Sequence, residues 1–373
     1  MQDTEIEAAQ RPEQEHHFPC DKCGSDMRFD PGDDRLVCDH CGNTRPIEHG
    51  PWTRAEAIAE LDFERAVGAG LGSAEMSVAH TVDCPNCGAR FEFDPAVHAA
   101  ECPFCATPVV TDTGTSRQIK PRAVLPFRLE EGQAHDAMTG WLGSLWFAPN
   151  GLQEYARKGR RMNGVYVPCW TFDADTQSAY RGQRGTVYYE TRTVMRDGKR
   201  QQVQVPRVRW TPVRGRVARF FDDVLVLATT SLPENFRLAL VQWDLTRLEP
   251  YQPEYLAGFR SEAYTIDLEP AYREAREIMD RQILRDIKFD IGGDRQQVDH
   301  VETQIGGVTF KHVLVPVWIA AYRYRSRSFR FVVNGQSGQV VGERPWSAWK
   351  ITFAVILGLI AAGVFGYFYA QTQ

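Results

Sequence analysis

GVYVPCWTF, residues 164–172, returns in shortened form as VPVW at residues 315–318. Both runs are rich in β-branched and aromatic side chains and read as strands. Each is preceded by an amphipathic segment. Residues 130–147 put Ala134, Met138, Trp141, Leu142 and Leu145 on one helical stripe, stopped by Pro149, and a second helix is expected from Glu269 to Lys288. Strand, helix, then a V-P-x-W strand therefore occurs twice, which predicts a duplication or two pseudo-symmetric halves. Proline has no N–H to give to a ladder, so Pro168 and Pro316 place these strands at a sheet edge or bulge.

Between the two motifs the chain reads as hairpins. Thr186 to Met195 and Arg200 to Trp210 flank Asp197-Gly198, a preferred two-residue turn, and Val213 to Phe221 and Val224 to Thr229 follow as further strands. After the second motif, Val313 to Tyr324, Phe329 to Val333 and Gln339 to Val341 form a meander with Asn334-Gly335 in its last turn. The strands cluster without regular βαβ alternation. Residues 117–345 are therefore expected to form an α+β body, duplicated and mainly antiparallel.

Upstream of that body, eight of the nine cysteines fall into a repeated pattern. Cys20-x2-Cys23 is followed after fourteen residues by Cys38-x2-Cys41, and Cys84-x2-Cys87 after fourteen by Cys102-x2-Cys105. Phe29-Asp30-Pro31 matches Phe93-Asp94-Pro95, so one module is used twice, 64 residues apart. Two C-x2-C turns on adjacent hairpins point four thiolates at one centre, the tetrahedral zinc geometry. With four protein ligands the site is structural, and in a module of this size metal binding supplies most of the folding free energy. Zinc is expected in both; iron in a rubredoxin-like site is the alternative. His40 and His98 are not needed as ligands. Cys169, alone on an apolar strand, reads as a small core residue.

The modules, residues 18–48 and 82–111, resemble the zinc ribbons of transcription factor IIB and of primosomal helicases. Some ribbons bind nucleic acid and many bind protein, so charge has to decide. Each is net negative by three, the wrong sign for gripping phosphates, and a cytoplasmic protein partner is the expectation. Between them, in residues 49–81, Thr53-x-x-Glu56 is a capping box opening a short helix that ends around Gly68 to Gly72, with Ile58 and Leu61 on one apolar edge.

The chain's 43% hydrophobic and 24% charged residues are those of a globular protein, and 373 residues can bury a proper core. Residues 1–17 are acidic and lack an apolar run, so they read as a disordered lead rather than a signal peptide. Cysteines are then expected in a reducing compartment, where such clusters bind metal. The net charge of -5 hides an asymmetry: from Arg157 to Arg219 there are fifteen Lys/Arg against four Asp/Glu. This stretch is either a solvated sheet face or a basic surface for the anionic inner leaflet, with nucleic acid as a third reading.

At the other end, ITFAVILGLIAAGVFGYFYA, residues 351–370, carries no charge and would span about 30 Å as a helix, the thickness of a bilayer's hydrocarbon core. A transmembrane helix is expected over 349–370. Trp346 and Trp349 precede it, Tyr367 and Tyr369 close it, and Arg344 and Lys350 lie on its N-terminal side, which keeps the bulk of the chain in the cytoplasm. Gly358, Ala362 and Gly366 form a small-xxx-small face on which two copies could pack.

Neither a G-x4-G-K-[ST] nor a strand-to-helix G-x-G-x-x-G loop occurs, and H-E-x-x-H and G-x-S-x-G are absent too. An ATP-driven helicase is excluded on that ground. Taken together, the paired ribbons, GVYVPCWTFDA (164–174), PYQPEYLAGF (250–259), the second V-P-V-W and VVNGQSGQVVG (332–342) resemble a bacterial family of membrane-anchored double zinc-ribbon proteins, often labelled primosomal-helicase-like or transcription-factor-IIB-type. The resemblance implies no catalytic residues, and it implies a place beside phage-shock protein A and flotillin-like proteins in membrane-stress modules. This chain departs from such relatives in having one terminal span. The expected role is a non-enzymatic adaptor at the cytoplasmic membrane that recruits its partner through the ribbons. The alternatives are a membrane-tethered nucleic-acid-binding protein and an enzyme with an unrecognised site in the α+β body.

Overall fold

The computed structural model describes residues 18–48, 50, 54–68, 70–92, 99–105, 107–110, 114–146, 162–196, 199–240, 242–324, 327–343 and 347–371. The lead 1–17, Thr53, Phe93-Asp94-Pro95, His98, Pro149, the basic residues 157–161, Asp197-Gly198, Arg344 and Trp346 lie outside the described residues.

The first ribbon is a three-stranded sheet of β1 (Arg28–Phe29), β2 (Arg35–Val37) and β3 (Thr44–Pro46). Residues read as one spacer helix form two, α1 (Arg54–Ala57) and α2 (Phe63–Gly68), split by β4 (Leu61–Asp62). Leu61 does not line a helix edge; it pairs with Phe310 of the body and is buried. Around the second ribbon lie β5 (Met76–Asp83), β6 (Arg90–Glu92), β7 (Ala99–Glu101), β8 (Pro108–Val110) and β9 (Gly114–Ile119). Its sheet reaches beyond the cysteine module, because β5 pairs with β9 as well as with β6.

The body follows, with β10 (Ala123–Val124), α3 (Glu131–Ser144), β11 (Asn163–Arg196) and β12 (Lys199–Leu227), then α4 (Glu234–Ala239), β13 (Glu249–Pro250) and β14 (Arg260–Ser261). It continues through α5 (Leu268–Ile291), β15 (Arg295–Tyr324), β16 (Arg327–Asn334) and β17 (Val340–Gly342), and α6 (Ala348–Gln371) ends the chain. One nine-stranded sheet runs through it, with β12, β11, β15, β10 and β13 as neighbours in that order.

The duplication is visible in the register. β11 and β15 pair antiparallel with Val167 opposite Val315, so the two V-P-x-W motifs lie side by side about a pseudo-two-fold axis. The short strand β10 runs parallel to β15 at Val313 and Leu314; β14 runs parallel to β11 at Val165 and Tyr166. Each short strand leads into a helix, α3 or α5, and each helix into a long strand. Trp170 packs on Tyr264 and Trp318 on Phe127, both with ring centroids 5.0 Å apart.

Neither proline is on an edge strand, because β11 and β15 lie inside the sheet. Pro168 instead occupies the gap where β14 stops opposite Tyr166 and β12 starts opposite Cys169. Its carbonyl accepts from Ala228 N at 2.9 Å, and a strand residue points its N–H and C=O to the same side, so the missing N–H faces the gap. Pro316 repeats this between β10 and β16, its carbonyl accepting from Gly335 N at 2.8 Å. No ladder bond is lost at either.

The strands expected separately between the motifs are one continuous hairpin. β11 and β12 pair from Cys169 opposite Leu227 to Arg196 opposite Lys199, with one bulge near Phe172. Pro206 and Pro212 do not interrupt it because β12 is an edge strand. β15 accompanies β11 only as far as Gly185, opposite Arg295. Beyond that the hairpin continues as a two-stranded arm, about 35 Å long at the usual rise.

Three cores hold the body. α3 and α5 cover one face of the sheet, here the helix face. Under α3, ribbon 1 contributes Met27, Phe29, Leu36 and Ile47 to a core with Tyr166, Leu314 and Trp318. Under α5, Ala275, Met279, Ile283 and Ile287 pack on Trp170, Phe172 and Phe310. On the opposite face ribbon 2 brings Val82, Phe91 and Phe104, with Phe236 and Leu240 of α4, over Val165, Val167, Cys169, Val313 and Val315. The two ribbons therefore clamp the same pair of strands from opposite sides. Each such large apolar side chain contributes roughly 1.5–3 kcal/mol by leaving water.

The last helix contrasts with all of this. Trp349–Tyr369 is long and apolar enough to cross a membrane, with mean hydropathy 2.2, and none of it is buried against the body. Its start is tied down: Lys350 Nζ donates to the carbonyl of Trp146, just past the end of α3, at 3.1 Å.

Candidate metal centres

In each ribbon the four Sγ atoms lie within 4.8 Å of one another. Cys20 Sγ is 3.6 Å from Cys41 Sγ and Cys23 Sγ 3.5 Å from Cys38 Sγ; the matching separations in ribbon 2, Cys84–Cys105 and Cys87–Cys102, are both 3.6 Å. A regular tetrahedron with ligands ~2.3 Å from its centre has edges of ~3.8 Å, so these thiols are spaced to close on one zinc ion. All eight cysteines singled out by spacing are brought together, in two sets of four.

The knuckles explain how. After the first, second and third C-x2-C turns, Gly24, Gly42 and Gly88 have φ of +76°, +70° and +72°, a conformation glycine adopts freely. Their N–H groups return to the carbonyls of Cys20, Cys38 and Cys84 at 2.8, 2.8 and 2.9 Å, which folds each pair of thiols to one side. Without metal the thiols of each ribbon diverge, and Cys41, Cys84 and Cys102 are held above the ordinary thiol range by neighbouring thiols and burial. The backbone N–H of Ser25 leads in lowering Cys23 to about 6, and a hydrogen bond from Cys102 leads in lowering Cys87 to about 5. In both sets one cysteine of each knuckle is buried and the other reaches toward the surface, more openly in ribbon 1. His40 is exposed and outside the cluster, as its position suggested.

Backbone bonds fix the ribbons to the body. Phe29 N donates to Ala257 O at 2.9 Å and Gly32 N to Phe127 O at 3.1 Å in ribbon 1; Ala263 N donates to Arg90 O at 2.9 Å in ribbon 2.

Three buried polar groups escaped the sequence reading. Lys311 is buried on β15, with Nζ 2.9 Å from Glu60 Oε1 and 2.6 Å from Asp223 Oδ1. Beside it Asp173 accepts from the backbone N–H of Asp223 at 2.9 Å. Burial pushes the Asp173 carboxyl up to about 7, with help from its hydrogen bond to Glu60. Burial opposes the Lys311 charge, but Asp223 and Glu60 outweigh it and hold the ammonium above its usual range. The cluster ties the spacer to the sheet. A charged residue inside the apolar run Phe310-Lys311-His312-Val313 was its only signal.

Glu262 is buried where ribbon 2 meets β14, accepting from Thr229 Oγ1 at 2.6 Å and from the Ser231 hydroxyl; burial pushes it up to about 8. His312 lies among Trp170, Tyr264 and Ile119, and burial lowers it to about 4. Its Nδ1 is 2.7 Å from the Ile119 carbonyl, which can only accept, so that nitrogen carries the proton of a neutral ring. Cys169 is buried in the core with its thiol held protonated by burial.

No family model matches the chain. Over 362 residues it is 26% identical to a Bacillus subtilis (strain 168) protein, the uncharacterized protein YdjG, a likeness that covers 93% of this chain and 95% of the relative. The likeness thus runs along nearly the whole length of both chains. No solved structure matches.

Proposed function

We propose that this chain is a non-enzymatic, zinc-stabilised adaptor of the bacterial cytoplasmic membrane, anchored by α6 with its bulk in the cytoplasm. The observation that carries the reading is the placement of two four-thiolate sites against opposite faces of one sheet. Four protein ligands leave no coordination position for water or substrate, so zinc here would serve the fold. A body stapled from both sides is a rigid mount, and among its described residues the hairpin arm is the one long element with no covering layer. Recruitment of a cytoplasmic protein is assigned to that arm and the adjoining sheet, with the ribbons as the staples that hold it.

Lipid contact is assigned to the anchor base. Trp146 is 82% exposed and Trp349 77%, both beside Lys350, and amphipathic rings with a lysine favour the headgroup region. The arm leaves from the other end of the sheet, Arg181 lying roughly 60 Å along β11 from Asn163 at the usual rise. That separation supports a partner in the cytoplasm, rather than the inner leaflet, for the basic stretch.

A photo-reactive residue replacing Phe220 in the sheet adjoining the arm, with one replacing His40 in ribbon 1 for comparison, tests the reading in intact cells. A discrete protein adduct from Phe220 supports it, and one from His40 alone would move recruitment to the ribbons. Adducts to lipid alone, or none from any position on the body, contradict it.

A further inference from the structure

Strand pairing sorts the positive charge of the hairpin into two populations. On the helix face and along the arm five arginines have company. Arg219 Nε is 2.6 Å from Asp286 Oδ2, Arg192 and Arg207 both approach Glu190, Arg209 lies over the ring of Tyr188, and Arg184 donates to the carbonyl of Ile291. On the open face the register sets Arg181 directly opposite Arg214 on one side and His300 on the other. Arg216 stands one step along on the same face, opposite Ala179. All four are exposed, and among the described residues Arg181, Arg214 and Arg216 have no ion pair or side-chain hydrogen bond.

Like charges facing each other across neighbouring strands, with Cβ atoms ~5 Å apart, destabilise a sheet. Folding gains nothing from this row, so it is built for an anion from outside. Glu302 on β15, opposite Ala179, bounds it on one side, and the field opens toward the outer edge of β12.

Among the described residues that edge is itself unpaired. β12 pairs with β11 alone over the arm and the adjoining sheet. Pro206 and Pro212 must turn their nitrogens away from β11, having no proton to give it. Strand alternation then turns the backbone N–H and C=O of Arg214, Arg216, Ala218 and Phe220 outward as well. Residues 213–220 contain no proline, so an eight-residue run of edge is free to pair. An extended polypeptide can add to such an edge, whereas a phosphodiester chain or a bilayer surface has no matching donors and acceptors.

We infer that the outer edge of β12 from Val213 to Phe220 takes up an extended acidic segment of a protein partner as an added strand, its carboxylates held by Arg181, Arg214 and Arg216. This rests on the adaptor reading and names the chemistry of the partner.

The test uses full-length, zinc-loaded protein in neutral detergent and a fluorescent peptide of about eight residues alternating glutamate with valine or threonine. Its glutamine counterpart, a thymidine oligonucleotide and short-chain phosphatidylglycerol serve as competitors. Arg181→Gln, Arg214→Gln and Arg216→Gln combined remove the charge and keep the edge; Ala218→Pro removes an outward N–H and keeps the charge. Each is expected to weaken peptide binding about tenfold or more, while Arg276→Gln with Arg281→Gln on α5, away from the hairpin edge, leaves it unchanged. Zinc content and a cooperative thermal transition confirm that each variant is folded. Equal binding by wild type and both variants overturns the inference. So does stronger competition by the oligonucleotide or the lipid with no effect of Ala218→Pro. A cross-linked partner in cells without peptide binding sinks this inference and spares the adaptor reading; peptide binding with no adduct in cells does the reverse.

Discussion

The indole N–H of Trp170, in the first half of the body, donates to the carbonyl of Ile266, just ahead of the helix of the second half, at 2.9 Å. The same bond recurs with the halves exchanged, from Trp318 to Leu129, also at 2.9 Å. Each tryptophan thus fixes where the other half's helix begins, and the duplication is a reciprocal lock rather than two copies in a row.

Trp170→Phe and Trp318→Phe should therefore behave alike. Each keeps most of the packing but takes the indole donor from a half-buried carbonyl, at a cost of about 0.5–1.5 kcal/mol. Urea unfolding of the full-length protein in detergent measures this. A loss at one site with none at the other would contradict the functional equivalence of the halves.

Lys311→Met should be the most damaging single charge removal in the body. It takes the cation from Glu60 and Asp223, whose carboxylates stay partly open to water, and losing these charged hydrogen bonds costs about 1.5–3 kcal/mol. Because Glu60 belongs to the spacer, limited proteolysis should cut the variant first between the ribbons. Wild-type protease resistance there would mean the cluster does not hold the spacer down.

Asp173 sets a pH dependence. Its folded-state pKa is raised to about 7 by burial, so its contribution to stability is present below its unfolded value and is lost as pH rises through about 7. Asp173→Asn keeps the acceptor for Asp223 N and removes the titration. The variant should match wild type only below about pH 4, gain on it progressively as pH rises toward 7, and be the more stable near pH 8. Thermal midpoints across that range decide it, and parallel curves for the two proteins would remove Asp173 from the account.

Metal analysis should return two zinc ions per chain, and cobalt substitution should give the visible bands of a tetrahedral thiolate site. Because ribbon 2 shares its core with Val165, Val167 and Val315, Cys84→Ser should destabilise the whole body and not only the ribbon. A variant that loses one zinc yet unfolds at the wild-type midpoint would show that the ribbon is an appendage. Iron in place of zinc would leave the geometry standing and change only the ion.

The parts that were legible in sequence are those whose chemistry is local. C-x2-C turns fix their own thiols, the apolar run of the last helix is continuous, and V-P-x-W repeats verbatim enough to betray two halves. The long hairpin was not legible, because Gly182, Gly185 and Pro212 look like breaks. The structure gives each another reason. A side chain at Gly182 would run into the carbonyl of Gln297, and Pro212 faces outward on an edge. The link between Glu60 and Lys311, and the row of Arg181, Arg214 and His300, join residues far apart in sequence and exist only once the register is known.

The account hangs on a cytoplasmic body suspended from one membrane span, and protease digestion of oriented membrane vesicles tests that most directly. With the ribbons and arm in the cytoplasm, inverted inner-membrane vesicles should lose everything up to about Trp349, and right-side-out vesicles should protect it. Protection in the inverted vesicles, with cleavage in the right-side-out ones, would contradict the account.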